Sequence, residues 1–364
     1  MSESVRCHYE QHPYPRFPLL ASVRACDTYA LNLTALWTRF NGQLPPLAAQ
    51  RILIAGCGSF SPYPFSVANP AAEITALDLS ASSLRRARMH CLLHGRRNVR
   101  YQVGDLLDKS VALGQFGMID AYGVLHHLAD PLAGLCSLEA RLAPGGIMRV
   151  MIYNRYARRE EESIRRAFRL LGVRDTASAK DLIRCAAKGS RLHNFIAASD
   201  ETDYEAGLAD ALLHPCVSTF RIDELVALIH QTGLELLQFA HYGALEGVDE
   251  EIGRIRGLES ERLSCGNFLF YLGHAATKNF RVAHQAEDVC VMLNPCLKGV
   301  VGPLEFGTVQ LPARLGFENP SLGWRERMFL RSFLRPIALR SLDPQTRATV
   351  DRYTKASLLL RYYN

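Results

Sequence analysis

The 364-residue chain contains no stretch of 18 or more uncharged apolar residues, although 48% of it is hydrophobic. That absence argues against a membrane span. The first twenty positions carry Glu3, Arg6, Glu10 and Arg16 amid three prolines, which does not suit the apolar core of a secretory leader. Ten cysteines are present, but they are scattered with no C-x-x-C pair and no tight Cys/His cluster. A disulfide framework and a structural zinc site are therefore not expected. No internal repeat or low-complexity tract occurs, and charged residues reach only 21%, too few for a disordered chain. These observations describe a cytoplasmic globular protein of one large domain with appendages, or of two domains.

The formal net charge of +6 sits at one end. Residues 275–364 hold 13 Lys and Arg against 7 Asp and Glu, which accounts for all of it and leaves residues 1–274 neutral. Ten of the thirteen are arginines dispersed through apolar sequence, the pattern of a solvated helical face. No basic patch interleaved with aromatics is seen, so a nucleic acid partner is not expected.

Three segments organise the chain. Residues 1–46 read as a cap or lid, with a Pro/Tyr-rich opening (HYEQHPYPRFP) and an amphipathic helix around Leu31 to Phe40. Residues 47–274 alternate short apolar runs with helical stretches, the pattern of a doubly wound α/β sheet. Strands are expected at Arg51–Ala55, Glu73–Leu77, Val99–Val103, Met118–Tyr122, Gly146–Tyr153, Leu234–Ala240 and Gly266–Leu272, and helices at Ser82–His94, Pro131–Leu142 and Ile222–Gln231. The alternation is interrupted by charged, helical residues 155–215, an insertion placed to cover the carboxyl ends of the strands. Residues 275–364 form a mainly helical unit, with helices expected at Trp324–Leu334 and Gln345–Leu360. Whether that unit docks a partner, completes the lid or pairs two chains as a homodimer is open.

The first strand runs into ILIAGCGSF, where Gly56 and Gly58 let the backbone approach a ligand across the strand end. A dinucleotide fingerprint would place glycine at position 61, which is Ser61, so a pyrophosphate cradle is disfavoured. Asp78 ends the second strand, where a carboxylate can accept from both hydroxyls of a ribose. Asp105 ends the third, placed to accept from an adenine amino group while Leu106 packs on the ring. The fourth strand end reads DAYGVLHHLADP and the fifth LAPGGIMRVMIY.

In their order and spacing these five segments resemble the class I S-adenosylmethionine-dependent methyltransferases over about residues 50–273. The segments YEQHPYPRFP and HPCVSTFRIDELVALIHQTGLELLQF are similar to segments of bacterial methyltransferases. Phe60 in place of a third glycine and Ala55 in place of a frequent acidic residue depart from the family pattern. The resemblance implies a Rossmann-like sheet of seven strands with the last antiparallel, and S-adenosyl-L-methionine as cofactor. Its contacts are expected from Gly56, Cys57, Gly58, Ser59 and Phe60, from Asp78 with Leu79, from Asp105 with Leu106, and from Gly123 and Arg16.

Because the sulfonium already activates the methyl group, the protein must align an acceptor and exclude water. His126 and His127 stand beside the expected methyl position and are the candidate bases, since imidazole titrates near neutral pH. Tyr9, Tyr14, Tyr153, Asn154, Arg155 and His214 are candidates for the acceptor pocket, and no metal is expected. Arg158 to Glu162 read as a solvated helix face. The leading expectation is methyl transfer to O, N or C of a small molecule or short peptide under a lid. RNA or protein methylation, a nicotinamide dehydrogenase and a non-catalytic nucleoside-binding scaffold remain as alternatives.

Overall fold

A computed structural model describes residues 3–274, 289–302 and 307–363. The expected C-terminal unit is therefore seen in part, since 275–288, 303–306 and 364 lie outside the described residues. Seven strands, β1 (Arg51–Ala55), β2 (Glu73–Asp78), β3 (Val99–Val103), β4 (Phe116–Tyr122), β5 (Leu142–Ile152), β6 (Leu234–Phe239) and β7 (Phe268–His274), form one sheet in the order β3-β2-β1-β4-β5-β7-β6. Only β7 is antiparallel to its neighbours. The apolar run Ile52-Leu53-Ile54 is buried on both faces, as a central parallel strand requires. Strand order reverses between β1 and β4, which opens a crevice beyond the carboxyl ends of those strands.

Helices α1 (Glu3–Gln11), α2 (Leu33–Asn41), α3 (Pro62–Ala68), α4 (Ala81–Leu93) and α5 (Pro131–Glu139) surround this sheet. Local chemistry sets their ends: Ser80 accepts from the Ser83 amide to start α4, and Asp130 from the Ala133 amide, ahead of Pro131, to start α5. β5 begins four residues earlier than the sequence pattern indicated, because Leu142 already pairs with Phe116 ahead of the Pro144-Gly145-Gly146 irregularity.

The insertion comprises α6 (Arg159–Leu170), α7 (Thr176–Cys185), α8 (Arg191–Ala198) and α9 (Glu205–Leu208), which runs into a single π-helical turn over Ala209–Leu213. It has its own apolar cluster around Ile164, Phe168, Ala179 and Leu212. The opening segment, which the sequence showed only as Pro/Tyr-rich, forms α1, and Glu10 on it accepts from the Ala81 and Ser82 amides at the start of α4. A carboxylate there satisfies free amides and meets the positive end of the helix.

The C-terminal region holds the helices Trp324–Arg331 and Pro344–Lys355, joined by a small antiparallel sheet of Val289–Leu293, Ile337–Ala338 and Leu359–Tyr363. The expected helix Gln345–Leu360 stops at Lys355 because Ser357 takes a positive φ of 55°, after which the chain pairs with Val289–Leu293. This region shares one core with α2, in which Leu36, Phe40, Val291, Leu297 and Phe333 pack together. Asn294 donates to the Tyr29 carbonyl (3.2 Å), and the Tyr363 amide donates to the Gly42 carbonyl (2.8 Å). Residues 25–41 are thus core elements bound to the C-terminal region, and only residues 3–21 reach toward the strand ends. Among the described residues no helix is long and apolar enough to cross a membrane.

Leu297 is fully buried at this junction. Leu297→Ala is expected to cost about 2–5 kcal/mol in chemical denaturation. An unchanged midpoint would show that the C-terminal region contributes no core to the domain.

Candidate active site

Gly56 and Gly58 both adopt the left-handed conformation, with φ of 58° and 57°. A Cβ at Gly56 would stand 2.5 Å from Val124 Cγ2, and one at Gly58 2.5 Å from the Tyr14 carbonyl oxygen. Glycine is required at both positions by close approach as well as by φ. The Gly58 amide donates to Asp78 Oδ2 (2.7 Å) and the Ser80 amide to Asp78 Oδ1 (2.9 Å), so one buried carboxylate ties the β1 turn to the start of α4. Burial raises the Asp78 pKa to about 6.

The N-terminal arm crosses this turn. The Ser59 amide donates to the Tyr14 carbonyl (3.0 Å), and the Ser59 hydroxyl donates to the Pro15 carbonyl. Tyr9 donates to Asp210 Oδ1 (2.9 Å) in the π-helical turn, and Tyr14 stacks on Tyr204, with ring centroids 6.5 Å apart. Arm and insertion together enclose a cavity of about 380 Å³ at the β1/β4 crevice, a size ordinary for small-molecule sites. A larger cavity of about 680 Å³ lies at the opposite end of the strands, against Trp37, Pro144 and Gly145, away from these groups.

Of the expected cofactor residues, Gly56, Cys57, Gly58, Asp78, Leu79 and Gly123 line the crevice cavity. Ser59 is turned to the arm as described, and Phe60 packs outward on Phe17 (4.4 Å) and His90 (5.1 Å), filling with an aromatic cluster the place a third glycine would leave open. Arg16 is exposed outside the cavity. Asp105 accepts from the Leu107 amide (2.8 Å) within its own loop, and Leu106 is buried beneath it; neither lines the cavity.

The two adjacent histidines separate. His127 lines the cavity, and its Nδ1 meets the Cys216 carbonyl at 2.9 Å. Nδ1 must therefore carry the hydrogen, which leaves Nε2 as a lone-pair acceptor. Burial pulls its pKa down to about 4, so the ring is neutral at pH 7. His126 lies fully buried, stacked on Tyr153 at 3.6 Å, and burial pushes its pKa far below the usual value.

Among the expected acceptor residues, Tyr9, Tyr14 and Tyr153 line the cavity. Asn154 does not: its Oδ1 accepts from the Tyr156 amide (2.7 Å) and turns the chain out of β5. Arg155 is drawn to the surface by a bidentate pair with Glu224 (2.9 and 2.8 Å). His214 stands behind His127, ring to ring at 3.8 Å, outside the crevice cavity. Its Nδ1 accepts from the Cys216 amide (3.1 Å), so its Nε2 carries the hydrogen in the neutral ring. His8, Asp210 and His214 are the one group of such side chains close enough to hold a metal among the described residues. With the Cys216 amide on Nδ1, the neutral His214 ring presents a proton-bearing Nε2, and the Nε2 atoms of His8 and His214 are both buried without a hydrogen-bond partner.

The solvated reading of residues 158–162 requires correction. Arg158 lines the cavity, lies 4.0 Å over the Tyr153 ring and pairs with Glu161, and both are largely buried. Arg158 caps the start of α6 and positions 161 and 165 lie on its inward face, while Arg159 and Glu160 face solvent. Asp210 and Asn267 also line the site without having been anticipated. The spacing of Asp210, four residues before His214 in DALLH, was the available signal for the first.

Gly58→Ala should cost about 1–2 kcal/mol from the left-handed backbone alone, with a further loss from the contact with Tyr14. Limited trypsinolysis at Arg16 should accelerate as the arm detaches. Gly95→Ala, at a φ of 69° with nothing within 4 Å, should leave cleavage unchanged. Equal cleavage of both variants would contradict the close-approach argument.

Residues 53–148 match the family model of a methyltransferase domain. An uncharacterized protein of Synechococcus sp. is 29% identical over 254 residues, spanning 66% of this chain and 60% of its own length. A ubiquinone biosynthesis O-methyltransferase of Albidiferax ferrireducens is 30% identical over 106 residues, spanning 28% of this chain and 41% of its own. The chain thus spans less than two thirds of the length of these relatives. Among solved structures, PKMT2 from Rickettsia typhi superimposes with a TM-score of 0.57 at 16% identity, covering 96% of this chain and 78% of that one, a likeness of fold. Residues 53–148 are accordingly similar to a methyltransferase domain, and they are carried on the seven-stranded class I methyltransferase fold.

Proposed function

We propose that the protein is an S-adenosylmethionine-dependent methyltransferase acting on a small molecule or short peptide end within the enclosed crevice. The observation that carries this reading is the convergence of Gly56, Gly58, Asp78 and His127 on one cavity at the β1/β4 switch point. The donor set fits an adenosine ligand: a buried carboxylate at a strand end, beside a turn whose glycines leave no room for a side chain. When bound, S-adenosylmethionine supplies a methyl group already activated by its sulfonium.

The chain's own residues then position and shield. Asp78, charged above about pH 6, accepts the ribose hydroxyls while it holds the turn. Tyr9 and Tyr14 cover the crevice from the arm, and their contacts with Asp210 and Tyr204 exclude water. His127 Nε2 takes a proton from the acceptor as the methyl is transferred. His126 and Tyr153 form the packed layer that fixes the His127 ring. The name of the ubiquinone biosynthesis relatives favours an oxygen acceptor. Ten free cysteines suit a reducing cytoplasm.

Asp78→Ala should weaken S-adenosylmethionine binding about 10-fold or more by isothermal titration, as hydrogen bonds to a charged acceptor are worth about 1.5–3 kcal/mol. Wild-type affinity should fall as the pH drops through about 6, because the protonated carboxyl loses acceptor capacity; the raised pKa fixes that window. Undiminished binding in the variant, or a flat pH profile, would count against the cofactor assignment. His127→Ala should retain cofactor affinity and lose kcat about 100-fold or more. A fully active variant would remove His127 as the base.

A further inference from the structure

A second cavity, of about 720 Å³, adjoins the crevice on the far side of the His127/His214 ring pair. Five arginines line it: Arg159, Arg165, Arg166, Arg169 and Arg174. Glu162 is the single acidic residue on its wall among the described residues, and its Oε1 already accepts from the Thr219 hydroxyl (3.0 Å). No ion pair joins Arg159, Arg166, Arg169 or Arg174 to an acidic side chain among the described residues.

Two side chains make this a built site. Arg165 is 6% exposed, and its Nε donates to the Ala211 carbonyl (2.6 Å), which fixes the guanidinium. Its Nη2 is buried without a hydrogen-bond partner. His214 is 7% exposed, and its Nε2 is likewise buried and unpartnered. The Cys216 amide occupies the Nδ1 lone pair of His214, so Nε2–H is a donor. Buried donors without acceptors are costly, and although Glu161 and Asp210 lie near enough to favour the Arg165 charge, they leave its Nη2 without a hydrogen bond. A carboxylate or phosphate oxygen would satisfy both, and the planar fork of Arg165 suits either group.

We propose that this cavity binds the carboxylate or phosphate group of an anionic small molecule, held by Arg165 and His214 with the outer arginines drawing it in. On the methyltransferase reading, that ligand is the acceptor or an effector seated one imidazole pair away from the crevice. The anion site itself does not require that reading.

The test titrates the full chain with inorganic phosphate and with citrate at constant ionic strength, following thermal unfolding and heat. Both probes should bind saturably to the wild type. Arg165→Gln should weaken them about 10-fold or more, the worth of a charge-assisted bond. Arg166→Glu/Arg169→Glu, on the exposed face of α6, should weaken them with the melting temperature of the free protein unchanged. Preference for phosphate over citrate would mark a phosphorylated ligand, and the reverse a carboxylate one. No saturable binding, or equal binding in wild type and both variants, would overturn the proposal. Displacement of the anion by S-adenosylhomocysteine would do the same, since it would place the anion in the crevice. Anion binding in a protein that ignores S-adenosylhomocysteine would sink the methyltransferase reading and leave this site standing.

Discussion

The buried carboxylate of Asp78 is the contact on which the rest of the site depends. By accepting from the Gly58 and Ser80 amides, it locks the end of β1 to the start of α4 and holds Gly58 in the conformation that admits the Tyr14 carbonyl. The arm can lie over the crevice only because that turn is bare and fixed. Its own anchors, Glu10 at the start of α4 and Tyr9 on Asp210, bring α1 between the sheet and the insertion. The proposed ribose acceptor and the structural clamp are thus the same group, and the two amide hydrogen bonds offset part of the cost of burying its charge.

Enclosure has an electrostatic consequence. His8, His126, His127 and His214 are all driven toward the neutral form, with burial as the leading cause in each. Two neutral rings in contact can then be oriented oppositely by one peptide segment. The Cys216 carbonyl fixes His127 with Nε2 as acceptor, and the Cys216 amide fixes His214 with Nε2 as donor. One residue therefore fixes Nε2 as an acceptor in the ring that lines the crevice and as a donor in the ring that lines the arginine cavity.

The sheet was legible wherever apolar runs were unambiguous: RILIA of β1 can only be a buried strand, and Gly56, Gly58 and Asp78 are dictated by the turn they build. The small C-terminal sheet was not, because Leu359–Tyr363 follows a helix directly and its leucines continue the helical pattern past Ser357. Arg158 and Glu161 were misread because charge signals solvent only when no buried partner exists, and Tyr153 with Asn267 supplies one. Asn154 and Arg155 show the converse, since a strand-end position does not bring a side chain to the ligand when a loop cap or a surface carboxylate competes for it. The contact that orients His127 in the crevice comes from Cys216, 89 positions away, which no local pattern contains.

Amide hydrogen exchange of the full chain with and without S-adenosylhomocysteine would test the central claim, that the arm, the glycine turn and the π-helical turn close on one ligand. Joint slowing of exchange is expected over residues 5–15, 56–61 and 205–213, with the C-terminal region unaffected. Slowing confined to other surfaces, or none in the arm and the insertion, would contradict it.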